Sequence, residues 1–208
     1  MAKIQALSVQ QCLLQKKPQF EVSEKWRASA GDFEAGSVWM VWGSSSHGKT
    51  SFVLQLCKEL CRIGFRVAYN QMEEGVAKSF TDAMMRAGMD ECRRRFVVLN
   101  NAPMEDVAEW LKKRRTADAL VIDSIQYSGM KYREYRAFRD TFRNKTLIVV
   151  SHADGLEPSG NTAKSIRYDA SVKVRVEGYK AFITSRYGGG EPFTIWEYGA
   201  VKYWGFDK

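Results

Sequence analysis

The stretch Gly43-Ser44-Ser45-Ser46-His47-Gly48-Lys49-Thr50 decides the fold. It satisfies G-x-x-x-x-G-K-[ST] in full and lies between an apolar run, Val38-Trp39-Met40-Val41-Trp42, and a segment with helical apolar spacing. In a strand, loop, helix sequence of this kind the glycines let backbone N–H groups curl inward around phosphates. The N-terminus of the helix adds positive potential. The residues expected to line such a phosphate site are Gly43, Ser44, Ser45, Ser46, His47, Gly48, Lys49, Thr50 and the adjoining Ser51. Lys49 is expected to reach the β- and γ-phosphates and the Thr50 hydroxyl to ligate magnesium, so ATP and Mg2+ are the implied ligands. His47 reads as a tolerated variable position of the loop rather than a catalyst.

Outward from the loop, Phe52, Val53, Leu56 and Leu60 recur at helical spacing, and Gly64 closes a helix expected over 49–62. The alternation then repeats. Strands are expected at 66–71, 95–100, 119–124 and 146–151, with helices at 75–87, 104–114 and 132–143. Nearly all-apolar strands separated by helices predict a mostly parallel central sheet covered on both faces, an α/β fold. Past residue 152 the pattern changes to a polar loop over 153–168, then two antiparallel strands, 171–176 and 179–185, turning at Glu177-Gly178. A last strand over 193–198 is expected to extend the edge of this antiparallel C-terminal extension. Residues 1–34 read as a lead-in with one short helix near 9–14, and residues 35–208 as a single nucleotide-binding domain.

At 208 residues and 45% hydrophobic composition the chain can bury one substantial core. Its four cysteines, Cys12, Cys57, Cys61 and Cys92, form neither a disulfide framework nor a zinc signature, which points to a reducing cytoplasm. No run approaches the roughly 20 apolar residues needed to span a bilayer, so no membrane partner is expected. The net charge of +8 favours polyanions. The clusters Arg93-Arg94-Arg95 and Lys112-Lys113-Arg114-Arg115 read as solvated helix ends, and the late aromatics, Trp196, Tyr198, Tyr203, Trp204 and Phe206, as edge-strand and subunit packing.

Two carboxylate signals accompany the loop. Ala119-Leu120-Val121-Ile122-Asp123 is an apolar strand that delivers Asp123 to the C-terminal edge of the sheet, where ligands bind in α/β folds and where magnesium needs an acidic partner. The strand ending in Gln71 runs into Met72-Glu73-Glu74, and a carboxylate there suits the polarising of an attacking water. Glu73 is the first choice for that role and Glu74 the reserve.

The order GSSSHGKT, VAYNQMEEG, ALVIDSIQ and LIVVSHADG resembles the RecA-type P-loop ATPase core, and most of all its RadA and DnaB-type helicase branch, over residues 34–198. The resemblance implies Glu73 as catalytic glutamate, Asp123 as the metal-tuning aspartate and His152 as a sensor of the γ-phosphate. Ile183-Thr184-Ser185-Arg186 resembles a segment that ends in K-x-R and reaches a neighbour's ATP site. Thr184 replaces the lysine, so Arg186 alone carries over. In that family a DNA-binding loop lies where residues 153–168 stand here, which makes Lys164 and Arg167 the expected backbone contacts. The zinc, protease-like and N-terminal modules of those relatives are not expected in 208 residues, as in the stripped cores of phages or mobile elements.

Together these readings describe an ATP-hydrolysing, homo-oligomeric motor on DNA in recombination, repair or replication, bound without sequence preference. The alternative is an ATP-dependent switch or loader that recruits another replication or recombination protein.

Overall fold

The computed structural model describes residues 6–15 and 20–205. In chain order the elements are α1 (Val9–Leu13), α2 (Glu24–Ala30), β1 (Val38–Gly43), α3 (Lys49–Arg62), β2 (Val67–Gln71), α4 (Lys78–Ala87), β3 (Phe96–Asn100), α5 (Met104–Lys112) and β4 (Ala119–Asp123). There follow α6 (Tyr132–Thr141), β5 (Thr146–Asp154), β6 (Glu157–Pro158), α7 (Asn161–Asp169), β7 (Val172–Glu177), β8 (Lys180–Ser185), β9 (Phe193–Thr194) and α8 (Glu197–Trp204). The strands form one sheet in the order β3-β2-β4-β5-β1-β7-β8-β9, parallel as far as β7 and antiparallel beyond it, with β6 paired to the end of β5. This is the expected mostly parallel α/β sheet with an antiparallel C-terminal extension.

The two-residue period of the central strands divides the interior into two layers. From β1, β4 and β5, Trp39, Val41, Val121, Ile148 and Val150 join Phe52, Leu56 and Leu60 of α3 and Phe80 of α4. The alternate residues Met40, Trp42, Leu120, Ile122, Leu147 and Val149 face Val107 of α5, Tyr135 of α6 and Ile166 of α7. Sandwiching both faces explains why these strands read as continuous apolar runs. No helix among the described residues is long and apolar enough to cross a membrane.

Helix α3 ends as its sequence suggests. Gly64 adopts φ 102°, and the Phe65 and Gly64 N–H groups donate to Leu60 and Cys61 carbonyls at 2.9 and 3.1 Å, closing the last turn.

The structure departs from the sequence reading in three places. The lead-in is not irregular after its first helix: α2 seats Trp26 and Ala30 in the core, with Val22 and Phe33 flanking it. The polar stretch 153–168 is not a flexible loop. It folds as the β5–β6 hairpin and then α7, because Ala163 and Ile166 give α7 a buried face and the Arg167 guanidinium is paired with Glu157 and lies 5.4 Å from the Trp42 ring centre. The expected strand over 193–198 lasts only two residues before α8 begins. Gly199 explains the change, since a Cβ there would come within 2.3 Å of the Trp196 ring, so helix and ring pack closely only over glycine.

Candidate functional site

The parallel register gathers the candidate residues on one edge of the sheet. Gly43 at the end of β1 pairs with His152 on β5, and Gln71 at the end of β2 pairs with Asp123 on β4. The loop between β1 and α3 rises from that edge over a cavity of about 670 Å³ lined by Ser45, Ser46, Gly48, Lys49, Thr50 and Ser51 from the loop and helix start. Glu73, Glu74, Asp123 and His152 line it as well. Gly43, Ser44 and His47 of the expected phosphate site are not part of this lining.

The glycines are required by geometry. A Cβ on Gly43 would lie 2.2 Å from the Val176 carbonyl oxygen, and Gly48 holds φ 102° as the residue before α3. Ser46 takes a left-handed conformation at φ 64°. The Lys49 ammonium donates to the Ser44 carbonyl at 2.9 Å, bridging the loop. Burial pushes its pKa down, while Asp123 and Glu73 pull it back up. His47 is structural: its Nδ1 accepts from Gly178 N–H at 3.1 Å, its carbonyl accepts from Tyr179 N–H at 3.1 Å, and its ring packs edge-on to Tyr203. The loop between β1 and α3 is thereby tied to the β7–β8 turn and to α8.

Asp123 is 5% exposed. Burial pushes its pKa up to about 6, against the opposing pull of the Tyr69 hydroxyl, which donates to its carboxylate, and of the Lys49 and His152 charges. Glu73 lies across the cavity with a carboxylate oxygen 3.5 Å from His152 Nε2. Glu74 is turned to a different task, accepting from the Ser79 hydroxyl at 2.6 Å at the start of α4. Behind His152, the Gln126 amide donates to Ser151 Oγ at 2.7 Å and to the Ser159 carbonyl at 2.8 Å, which fixes the end of β5.

Phosphate chemistry fits these residues: a curled loop that excludes side chains at Gly43, a lysine across it, a hydroxyl at the first helical turn and a buried carboxylate opposite. Among the described residues no group of three or more His, Cys, Asp or Glu side chains could hold a metal by themselves. A magnesium here would therefore rest on Thr50, Asp123, phosphate oxygens and water, the usual arrangement for that ion.

Sequence reasoning missed two features, a tyrosine buried behind Asp123 and a wall of the cavity itself. Tyr69 is two residues before Gln71 on β2, so it shares a face with it, and its parallel partner Val121 is two residues before Asp123. That register is the signal that could have found it. The second is an aromatic wall. Tyr179 and Trp196 line the cavity with their rings edge-to-face at 5.0 Å, and Ile195 joins them.

Arg186 is apart from this group. It is exposed just beyond β8, its N–H donating to the Ser171 carbonyl at 3.0 Å, and the Ser171 N–H in turn donates to Val38 at the start of β1. That is the opposite edge of the sheet from the loop, about 15–20 Å away at roughly 3.3 Å per strand residue. Lys164 and Arg167 sit on α7, with the Arg167 side chain committed to Glu157 and Trp42.

No protein-family model matches the chain, and no curated protein matches it significantly. Solved structures do. The flagellar accessory protein FlaH from Methanocaldococcus jannaschii is similar with a TM-score of 0.62 at 16% identity, over 85% of this chain and 92% of that one. A KaiC-like protein from Pyrococcus horikoshii is similar with a TM-score of 0.59 at 16% identity, over 85% of this chain and 93% of the other. At that identity the likeness concerns architecture, and the architecture is the RecA-like α/β fold.

Proposed function

We propose that this chain is a magnesium-dependent ATPase that works as an oligomer and acts on DNA, of the kind found in the RadA and DnaB-type branch. The observation that carries the ATPase reading is the meeting of Lys49, Thr50, Asp123, Glu73 and His152 around one cavity at the C-terminal edge of the sheet. Lys49 and the loop N–H groups hold the triphosphate. Thr50 and Asp123 are the residues that would hold magnesium, which when bound offsets phosphate charge. Glu73 orients a water and takes its proton as the oxygen attacks the γ-phosphorus, and the bond to the β–γ bridging oxygen breaks to leave ADP and phosphate. His152, beside Glu73, is the group to feel the γ-phosphate. Arg186 acts from one subunit on the site of the next, which its exposure and its distance from its own Lys49 support.

The net charge of +8 supports a polyanionic partner. The buried free cysteines Cys57, Cys61 and Cys92 suit a reducing cytoplasm. The test is ATP turnover with and without single- and double-stranded DNA. Strong stimulation is expected. Slow turnover that ignores DNA would instead support a switch that recruits another protein, and no turnover at all would overturn the ATPase reading.

A further inference from the structure

A second concavity, of about 880 Å³, opens beside the nucleotide cavity between α3, the end of α4 and the turn Met89–Arg95 that follows it. Gln55, Arg86 and Ala87 line both spaces. Cations dominate its lining: Lys25, Lys58, Arg62, Arg86, Arg93, Arg94 and Arg95, against only Glu59 and Glu91. Four of the cations are already engaged. Lys58 pairs with Glu91 at 2.7 Å, Arg62 with Glu59 at 2.7 Å, Arg95 donates to the Gly64 carbonyl at 2.5 Å, and Lys25 donates to the Thr194 carbonyl at 2.9 Å. The guanidiniums of Arg86, Arg93 and Arg94 have no hydrogen bond or ion pair among the described residues, and all three are exposed. The two acids in the lining are thus taken up by their own neighbours, and three arginines remain uncompensated along one groove.

We propose that this groove binds the phosphodiester backbone of a nucleic acid, with Arg86, Arg93 and Arg94 reaching the phosphates. The inference rests on the DNA reading above and places it away from α7, where Arg167 is already occupied. Charge complementarity selects the occupant. A protein partner of useful affinity wants a large apolar anchor at the centre of its interface, but Trp26, Cys61, Cys92 and Phe193 of this lining are buried and only the small Ala87 is partly exposed. A polyanion needs charge alone, and guanidiniums meet phosphate oxygens through paired N–H donors. With no exposed aromatic ring in the groove lining, binding is indifferent to base identity.

The experiment is fluorescence anisotropy of a labelled oligothymidylate over a salt titration, with thermal unfolding to show that each variant is folded. Arg93→Gln/Arg94→Gln disturbs no internal hydrogen bond or ion pair of the described residues, so it should unfold with wild type. Its affinity should fall at least ~10-fold, and the slope of log affinity against log salt should shrink by about 1.4, roughly 0.7 for each single-strand phosphate that is no longer neutralised. Lys164→Gln should bind as wild type does. Unchanged affinity and slope in the double variant, or a weakening that follows Lys164 instead, overturns the groove while leaving DNA binding intact. A wild-type protein that hydrolyses ATP and binds polyglutamate but neither oligothymidylate nor duplex DNA overturns the nucleic-acid assignment and leaves the ATPase standing.

Discussion

Glu73 and His152 face each other across the cavity mouth with 3.5 Å between a carboxylate oxygen and Nε2, although they come from different strand ends, those of β2 and β5. Glu74, one residue on, is bonded to Ser79 instead. The two neighbouring glutamates should therefore separate cleanly in function. Glu73→Gln is expected to keep nucleotide affinity and lose about 10²- to 10⁴-fold in turnover, the usual worth of a positioned base. Glu74→Gln should keep turnover near wild type, and Lys49→Ala should lose nucleotide binding itself. Fluorescent-nucleotide binding and phosphate release, measured on the same preparations, decide the matter. Normal turnover in Glu73→Gln beside a dead Glu74→Gln would move the catalytic role one residue along.

The aromatic wall predicts where the base lies. Tyr179 and Trp196 line the same cavity as Lys49, and His47 anchors the Tyr179 backbone, so their rings are held at a fixed place relative to the phosphate loop. Stacking a base on such a ring contributes about 1–2 kcal/mol, or roughly tenfold in affinity. Trp196→Ala should weaken ATP by about that factor and leave inorganic tripolyphosphate unaffected. An equal loss for both ligands would mean that Trp196 supports the loop rather than the base.

Glu59 ties the lead-in to α3. It is buried on α3, accepts from Ser23 N–H at 2.6 Å and pairs with Arg62 at 2.7 Å, and Arg62 reaches back to the Glu21 carbonyl at 2.5 Å. Burial opposes its ionisation, but Arg62 and the Ser23 N–H more than offset this and hold its pKa below the ordinary glutamate range. A lowered folded pKa means stability that is present above the unfolded value and lost as pH falls through the folded one. Glu59→Gln should thus lower stability by about 1–3 kcal/mol at neutral pH and flatten the acid side of the stability curve below about pH 4.5. Thermal unfolding across pH measures both. A variant as stable as wild type at pH 7 would show that the lead-in is held by its buried apolar residues, Val22, Trp26, Ala30 and Phe33, without help from Glu59.

Much of the architecture was legible because the parallel strands are buried on both faces. Ala119 to Asp123 and Val38 to Gly43 are buried throughout, with apolar residues at nearly every position, and α3 begins at Lys49 and ends at Arg62 as its spacing and Gly64 indicate. The lead-in and the region after residue 152 were harder to read. Helix α7 buries only Ala163 and Ile166, too sparse a stripe to stand out from its polar neighbours, and α8 depends on Gly199 fitting under Trp196. Both are tertiary facts. Asp123 and Glu73 could be found because each stands at or just past the end of a strand. Tyr69 and the Tyr179–Trp196 wall required the register between strands that are distant in sequence.

Arg186 yields the sharpest test of assembly. It is exposed at the edge of the sheet opposite Lys49, so it cannot serve the cavity of its own chain. Its immediate surroundings are nevertheless firmly built. A Cβ on Gly31 would lie 2.1 Å from the Tyr187 carbonyl oxygen, and the Gly190 N–H donates to Ser29 at 3.0 Å, so the turn after Arg186 is pressed against α2. Held this way, the guanidinium is offered outward from a rigid base, as a residue acting on a neighbour requires. Such a finger is worth about 10³- to 10⁵-fold in phosphoryl transfer. Arg186→Ala should lose turnover by a factor in that range while binding ATP normally. Mixing it with Lys49→Ala should restore activity, because some interfaces then join an intact Arg186 to an intact Lys49. Full activity of Arg186→Ala alone would refute the finger, and so would a mixture that co-assembles on a sizing column yet remains inactive.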